Sequence, residues 1–427
     1  MSLSPSSSSP SFLPIATIQH DFLDVLSDVY AGTVPSENVW LSCYKEGEPS
    51  VHGKVDVRLH QQDRELVVLN GRDGVQMERI SNCRYRARCD SLGITSVNIL
   101  NPTQTYADPI QSDARLPHQI PCFDISSSSS TTILASALSD GSVSLYELGP
   151  EASPRARSPY TPCPSHSTTP FAMGELHKST ITAIHILPRT SPVLVSAGFD
   201  FRIHVTPILP SSSTVMTLAP SNTLTGHTRA ITSLIPLLDS AVISGGKEGT
   251  IRLWDIGTGQ TAMWSTRGMC APSAFASTGE DRNTVWTALA DGSAQAFDVR
   301  ARDSVATVEA AVTGSKSLNS AACDANGQRL VLGGSDGIVS EVDLRTISLR
   351  ARWRRSGASV EALAILADGR TLVAGEDGLP YVVKSVDDVE VVEELVFGDV
   401  EATRCVRVRG DEAWISGDGG AVRRYSL

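Results

Sequence analysis

A unit made of an apolar strand, small residues, an acidic turn residue and a second apolar strand occurs seven times along the chain. It reads LASALSDGSVSLYEL, LVSAGFDFRIHVTPI, VISGGKEGTIRLWDI, WTALADGSAQAFDV, LVLGGSDGIVSEVDL, LVAGEDGLPYVVKSV and WISGDGGAVRRYSL. The acidic residues are Asp140, Asp200, Glu248, Asp291, Asp336, Asp377 and Asp418, spaced 60, 48, 43, 45, 41 and 41 residues apart. The last four intervals match the roughly 40–45-residue period of a four-stranded propeller blade. The two longer gaps contain Pro/Ser-rich stretches at 149–170 and 209–220, a composition suited to surface insertions. Glycine follows six of the seven acids, as a tight turn between two strands requires; Phe201 takes its place in the second unit.

The third unit begins LTGHTRAITSLI and ends TIRLWDI, pairing Gly226–His227 with Trp254–Asp255. It resembles the WD-repeat family, and the likeness extends over residues 115–427. That resemblance implies a hydrogen-bonded relay within a blade of His227, Ser244, Glu248 and Trp254, with Glu in place of the usual Asp. The second unit supplies His177, Ser196 and Asp200, but has His204 where Trp is expected. The remaining units keep only the turn. The expected fold is all-β: a seven-bladed WD-repeat β-propeller over residues 101–427. The seventh unit stops after its third strand, and an open blade would leave an unpaired edge. A strand near 104–110 (TQTYADPI) is placed to close it.

Residues 14–100 lack this punctuation and are expected to form a small α+β or mostly-β domain beside the propeller. IATIQHDFLDVLSDVY reads as a strand leading into a helix, and VDVRLH, ELVVLN and RYRARCD read as strands. The Ser/Pro-rich start, residues 1–13, reads as a disordered leader with neither a basic nor an apolar targeting segment. A narrower resemblance is carried by IQHDF, VWLSCYKEGEPSVHGKV, GKEGTIRLWDIGTGQ and DGGAVRRYSL, in order from one end to the other. These segments are similar to the proteasomal ATPase-associated factor family. The resemblance implies a chaperone of proteasome regulatory particle base assembly, which grips the C-terminal domain of one ATPase subunit until the ATPase ring and core particle dock.

A net charge of −11 opposes binding that depends on phosphate contacts or anionic membrane, and favours basic protein partners. No apolar run approaches the roughly 18 residues of a membrane span. Eight scattered cysteines show no metal-ligand spacing. Without a secretory signal they point to a reducing compartment, cytoplasm and nucleus. No cofactor or metal is expected, and the chain alone is expected to be monomeric.

His227, Ser244 and Glu248 also satisfy the residue types of a nucleophilic triad. No G-x-S-x-G elbow surrounds the serine, so the structural relay is the stronger reading. Partner contacts are expected beside the turns, at Phe199, Arg229, Lys247, Glu376 and Asp418, where exposed Phe and Arg are typical anchoring types. Arg354 and Arg355 are expected on a solvated outer strand. FDVR (297–300) and VDLR (342–345) resemble degenerate boxes of cullin-RING ubiquitin ligase receptors. That alternative would make Arg300 and Arg345 contacts to a ligase adaptor.

Overall fold

The computed structural model describes residues 9–63, 66–107, 118–127, 132–148, 165–166, 169–187, 189, 191–209, 214–238, 240–277, 283–301, 303–385, 389–398 and 401–427. Seven antiparallel blades are arranged in a ring. Their innermost strands, Cys122–Ser127, Ile181–Leu187, Ile231–Leu238, Pro272–Ser277, Leu318–Cys323, Val360–Ile365 and Thr403–Arg409, neighbour one another in succession, and the first also neighbours the last. Within each blade, residues facing adjacent blades are apolar. Val195, Ala197 and Ile203 of blade two, for example, pack against Ile231, Val242 and Trp254 of blade three. Removing such flat, apolar blade faces from water is the main force holding the ring together.

Closure uses a strand from the other end of the sequence. Gln104–Ala107 runs antiparallel to Ala421–Ser426 and supplies the outer strand of blade seven. Residues 108–110 of the expected closing segment fall outside the described residues. At the junction, Asp124 of blade one accepts from Arg407 Nε of blade seven (3.3 Å) and from Ile186 N of blade two (2.7 Å). His185 Nε2 reaches Leu234 O in blade three at 2.9 Å. One polar chain on the channel wall thus bridges the seam and the blades beside it.

The N-terminal residues do not form a separate domain. Ile15–Ile18, Ser36–Tyr44, Val51–Leu59 and Val67–Gly71 make a four-stranded sheet, and the helix Phe22–Ala31 packs on it through Phe22, Val25, Leu26 and Val29. The next three strands join the propeller. Ile94–Leu100 pairs in parallel with Glu390–Leu395, and Arg84–Cys89 and Gln76–Arg79 follow, so blade six is a seven-stranded sheet. A single apolar cluster contains Phe22, Leu26, Val39, Val55 and Tyr85 together with Val339, Trp353, Val373 and Val383 of blades five and six. The expected boundary near residue 100 is therefore crossed by both backbone pairing and core packing.

Three other segments differ in the same way. Within the expected leader, Ser11–Phe12 pairs in parallel with the outer strand of blade five and Leu13 is buried. Within the two insertions, Met216–Thr217 adds to blade one and Ser165–His166 adds to blade seven, both in parallel. Residues 149–164 and 210–213 fall outside the described residues. Parallel addition to an exposed edge satisfies its unpaired backbone groups and blunts a site for aggregation.

Arg355 is not solvated, and Arg354 is only partly so. Arg355 is 4% exposed, pairs with Glu394 at 2.6 Å and lies over the Tyr381 ring. Glu394 also accepts from the backbone N–H of Ala16 (2.9 Å), which ties the first long strand to blade six. Arg354 reaches Glu46 at 3.1 Å and stacks on Phe12. Both arginines act at the junction between the N-terminal segment and the ring.

Candidate functional site

Connections between blades and the acidic turns lie on one face of the ring, and there the relay residues meet. In blade three, Trp254 Nε1–H donates to Ser244 Oγ at 2.8 Å, Ser244 contacts His227 Nε2 at 2.7 Å, and His227 Nδ1 contacts Glu248. Directionality follows from the Glu248 carboxylate, which can only accept. It places the imidazole proton on Nδ1, so that Nε2 of the neutral ring accepts from the Ser244 hydroxyl while the serine oxygen accepts from the indole. Glu248 additionally accepts from Arg229 N and Thr250 Oγ1, so the longer Glu closes the turn as an Asp would. Ser244 has no solvent exposure and therefore cannot meet a substrate. The triad-like composition is a structural brace.

Blade two repeats the arrangement with His177 Nδ1 to Asp200 at 2.9 Å and Nε2 to Ser196 at 2.8 Å. His204 does not take over the indole's bond. It turns to Thr223 Oγ1 at 3.0 Å and meets the His177 ring edge-on, with centroids 4.5 Å apart. Nitrogen and oxygen atoms of His177, Asp200 and His204 lie within 4.8 Å of one another. Both nitrogens of His177 are already engaged, so the trio is a hydrogen-bonded relay rather than a free ligand set.

Serines substitute for the histidine elsewhere, which the sequence reading missed. Ser315 Oγ donates to Asp336 at 3.0 Å and Ser356 Oγ to Asp377 at 2.7 Å, in blades five and six. In blade seven Arg404 takes that place, gripping Asp418 at 2.9 and 3.0 Å. The signal available for the serines was a polar residue 21 positions before the turn acid, too common in loops to single out, and Arg404 lies only 14 positions before Asp418.

Removing Ser244 leaves the Trp254 N–H and one nitrogen of His227 buried without partners. Ser244→Ala is expected to cost about 2–3 kcal/mol of unfolding free energy, measured by urea denaturation. A cost near zero would mean the relay is not a brace.

Burial holds His177, His185, His204 and His227 below the ordinary imidazole value of 6.5, with His185 and His204 at about 4. The unfolded chain protonates these rings near 6.5 while the folded chain does not. Their contribution is therefore complete above that value and is lost as the pH falls from 6.5 towards 4. For the mostly buried His185 the slope is at most about 1.4 kcal/mol per pH unit, and the other three histidines act with the same sign. Glu393 and Glu394, raised by burial, act in the opposite sense but are fewer. Denaturant midpoints measured between pH 7 and pH 5 are expected to fall steadily.

Phe199, Arg229 and Lys247 gather at the mouth of the central channel, a space of about 1030 Å³, with the Lys247 ammonium 5.2 Å from the Phe199 ring. Across the mouth, Asp418 and Glu361 surround Arg404, and Glu376 adds its charge to theirs. The expected contacts therefore split into a cationic-aromatic side on blades two and three and an acidic side on blades six and seven. Arg300 and Arg345 are elsewhere, at the far ends of their strands. Asp298 caps the backbone of Arg300 at 2.7 Å, and Asp343 pairs with Arg345 at 2.9 Å.

No helix among the described residues is long and apolar enough to cross a membrane. Residues 218–255, the outer strand of blade two and most of blade three, match the family described as WD domain, G-beta repeat. The chain is similar to the structure described as "Crystal structure of WD40 beta propeller domain of Doa1", with a TM-score of 0.57 and 16% identity. That likeness covers 73% of this chain and 97% of the other, and it speaks to fold. No curated protein matches the sequence. Seven closed blades, a complete relay in blade three and these two likenesses together make the chain an all-β WD-repeat propeller.

Proposed function

We propose that the chain is a non-catalytic chaperone of proteasome regulatory particle base assembly. It holds the C-terminal domain of an ATPase subunit against the relay face, in the cytoplasm and nucleus. A WD-repeat propeller is suited to binding protein, but fold alone does not choose the partner. The partner is proposed from the segment WLSCYKEGEPSVHG and its companions. The observation that supports a binding role is the open channel mouth, where Phe199 is 41% exposed beside Lys247 and Arg229. Exposed aromatic and cationic side chains around a concave opening form a common anchoring surface.

Trp40 and Tyr44, from the most specific segment of the resemblance, also face solvent, with Lys54 over the Trp40 ring at 4.8 Å. They offer a second surface rather than a contribution to the core. The test is a pull-down of the tagged chain from cell extract, with and without added core particle, read by mass spectrometry. Recovery of base ATPase subunits without core particle subunits is the expected result. Recovery of cullin and adaptor subunits without ATPases would overturn the reading.

A further inference from the structure

Of the four non-glycine residues with positive φ among the described residues, two are exposed apolar side chains on the relay face: Phe201 (φ +68°) and Met269 (φ +55°). In five other blades the position of Phe201 is a glycine with positive φ, namely Gly141, Gly249, Gly292, Gly337 and Gly378. The left-handed conformation disfavours a side chain, and Phe201 offsets little of this by burial, since it is 43% exposed. Strain of this kind, without a packing reward, points to use by a ligand. Phe199 is exposed two residues away, and Met269 continues the apolar surface, its backbone lying over the Gly249 turn.

Charge around these side chains departs from that of the whole protein. Lys178, Arg202, Arg229 and Lys247 are exposed and make no ion pair among the described residues. By contrast, Arg329, Arg345, Arg350, Arg354, Arg355 and Arg370 of blades five and six are all paired. The two nearest carboxylates do not balance the four cations. Asp200 is occupied by His177 and the backbone of Lys178 and Arg202, and Glu248 by His227, Thr250 and the backbone of Arg229. Acidic groups lie across the mouth on blades six and seven, so the face is polar from one side to the other.

We infer that the turn tips of blades two and three bind an extended acidic peptide segment carrying an apolar anchor residue. The anchor rests on Phe199 and Phe201, and the flanking carboxylates meet Lys178, Arg202, Arg229 and Lys247. This deepens the protein-binding reading above and rests on it. It also reverses the partner charge suggested by the net value of −11, because the local surface rather than the total decides complementarity.

The test is fluorescence anisotropy of the full chain with three labelled synthetic peptides: an Asp/Glu-rich peptide with one central Phe, the same peptide with Ser for Phe, and a Lys-rich peptide with the Phe. The acidic, Phe-bearing peptide is expected to bind best. Arg229→Glu with Lys247→Glu, and separately Phe199→Ala, are expected to weaken it by roughly tenfold or more, with Arg345→Glu on the opposite face leaving it unchanged. Phe201→Gly is expected to raise the melting temperature while weakening the peptide, a pairing that simple unfolding cannot produce. Equal or tighter binding of the Lys-rich peptide, no binding of the acidic one, or indifference to the charge reversal would each overturn the inference. Parallel pull-downs separate the two proposals. ATPase subunits captured equally by the charge-reversed chain would refute the peptide site and leave the chaperone role. Peptide binding intact with no ATPase subunit captured would do the reverse.

Discussion

Arg355→Met is expected to lower the unfolding free energy by about 3–5 kcal/mol, because it strands the buried Glu394 carboxylate without its cation. Few single changes in the molecule should cost more. Burial already pushes Glu394 up towards the protonated form, and Arg355 is the main force opposing that shift. The same carboxylate accepts the Ala16 N–H, so its neutralisation also loosens the strand Ile15–Ile18. Guanidinium denaturation gives the energy, and limited proteolysis near residue 14 reports the loosening. Arg355→Met combined with Glu394→Gln should recover much of the loss, since replacing both partners leaves no bare charge. Arg345→Ala is the contrast. It removes an exposed, solvent-screened pair and should leave the unfolding free energy nearly unchanged. If the two single variants cost the same, Arg355 is not a bolt.

A chain lacking residues 1–101 is expected to show no cooperative thermal unfolding and to bind a hydrophobic dye. It would retain the four basic strands of each of the seven blades, including the closing strand Gln104–Ala107, and lose only the strands added to blades five and six. It would nonetheless uncover Trp353, Val373, Tyr381 and Val383, which share one apolar cluster with the N-terminal sheet and helix. It would also leave Glu393–Leu395 without the partners Asn98–Leu100. An independent small domain would predict the opposite, a ring that melts normally once its neighbour is removed. Calorimetry of the shortened chain decides between them.

The difference between these two pictures shows what could be read from the sequence. Local patterns carried the repeats. Each turn acid lies between short apolar strands, and the helix Phe22–Ala31 repeats its buried residues at helical spacing. The pairs His227–Glu248 and His177–Asp200 were visible because a rare residue type recurs at a fixed distance from a turn. Parallel pairing leaves no such trace. Ile94–Leu100 meets Glu390–Leu395, almost the whole ring later in the sequence, through backbone hydrogen bonds that any residue can make. Ser11–Phe12 is too short for periodicity to show. Arg354 and Arg355 read as surface residues because arginine usually is one, and the partners Glu46 and Glu394 are supplied only by the fold. Phe201 was visible as an exception to the glycine rule, but its strain appears only in the backbone angle.

The pairing of both chain ends also sets a timetable for the molecule's birth on the ribosome. Residues 94–107 emerge about 300 residues ahead of their partner strands Glu390–Leu395 and Ala421–Ser426. At about 5–20 residues per second, the wait between them lasts roughly 15–60 s. Throughout it the newborn N-terminal segment shows Tyr85, Val97 and Ile99, all buried in the finished protein, to its surroundings. Blade assembly can proceed vectorially from blade one onward, but the ring becomes a ring only once Ala421–Ser426 has been made and meets Gln104–Ala107. A stalled or truncated translation product therefore cannot hide its sticky strands, and it presents itself to quality control as unfinished.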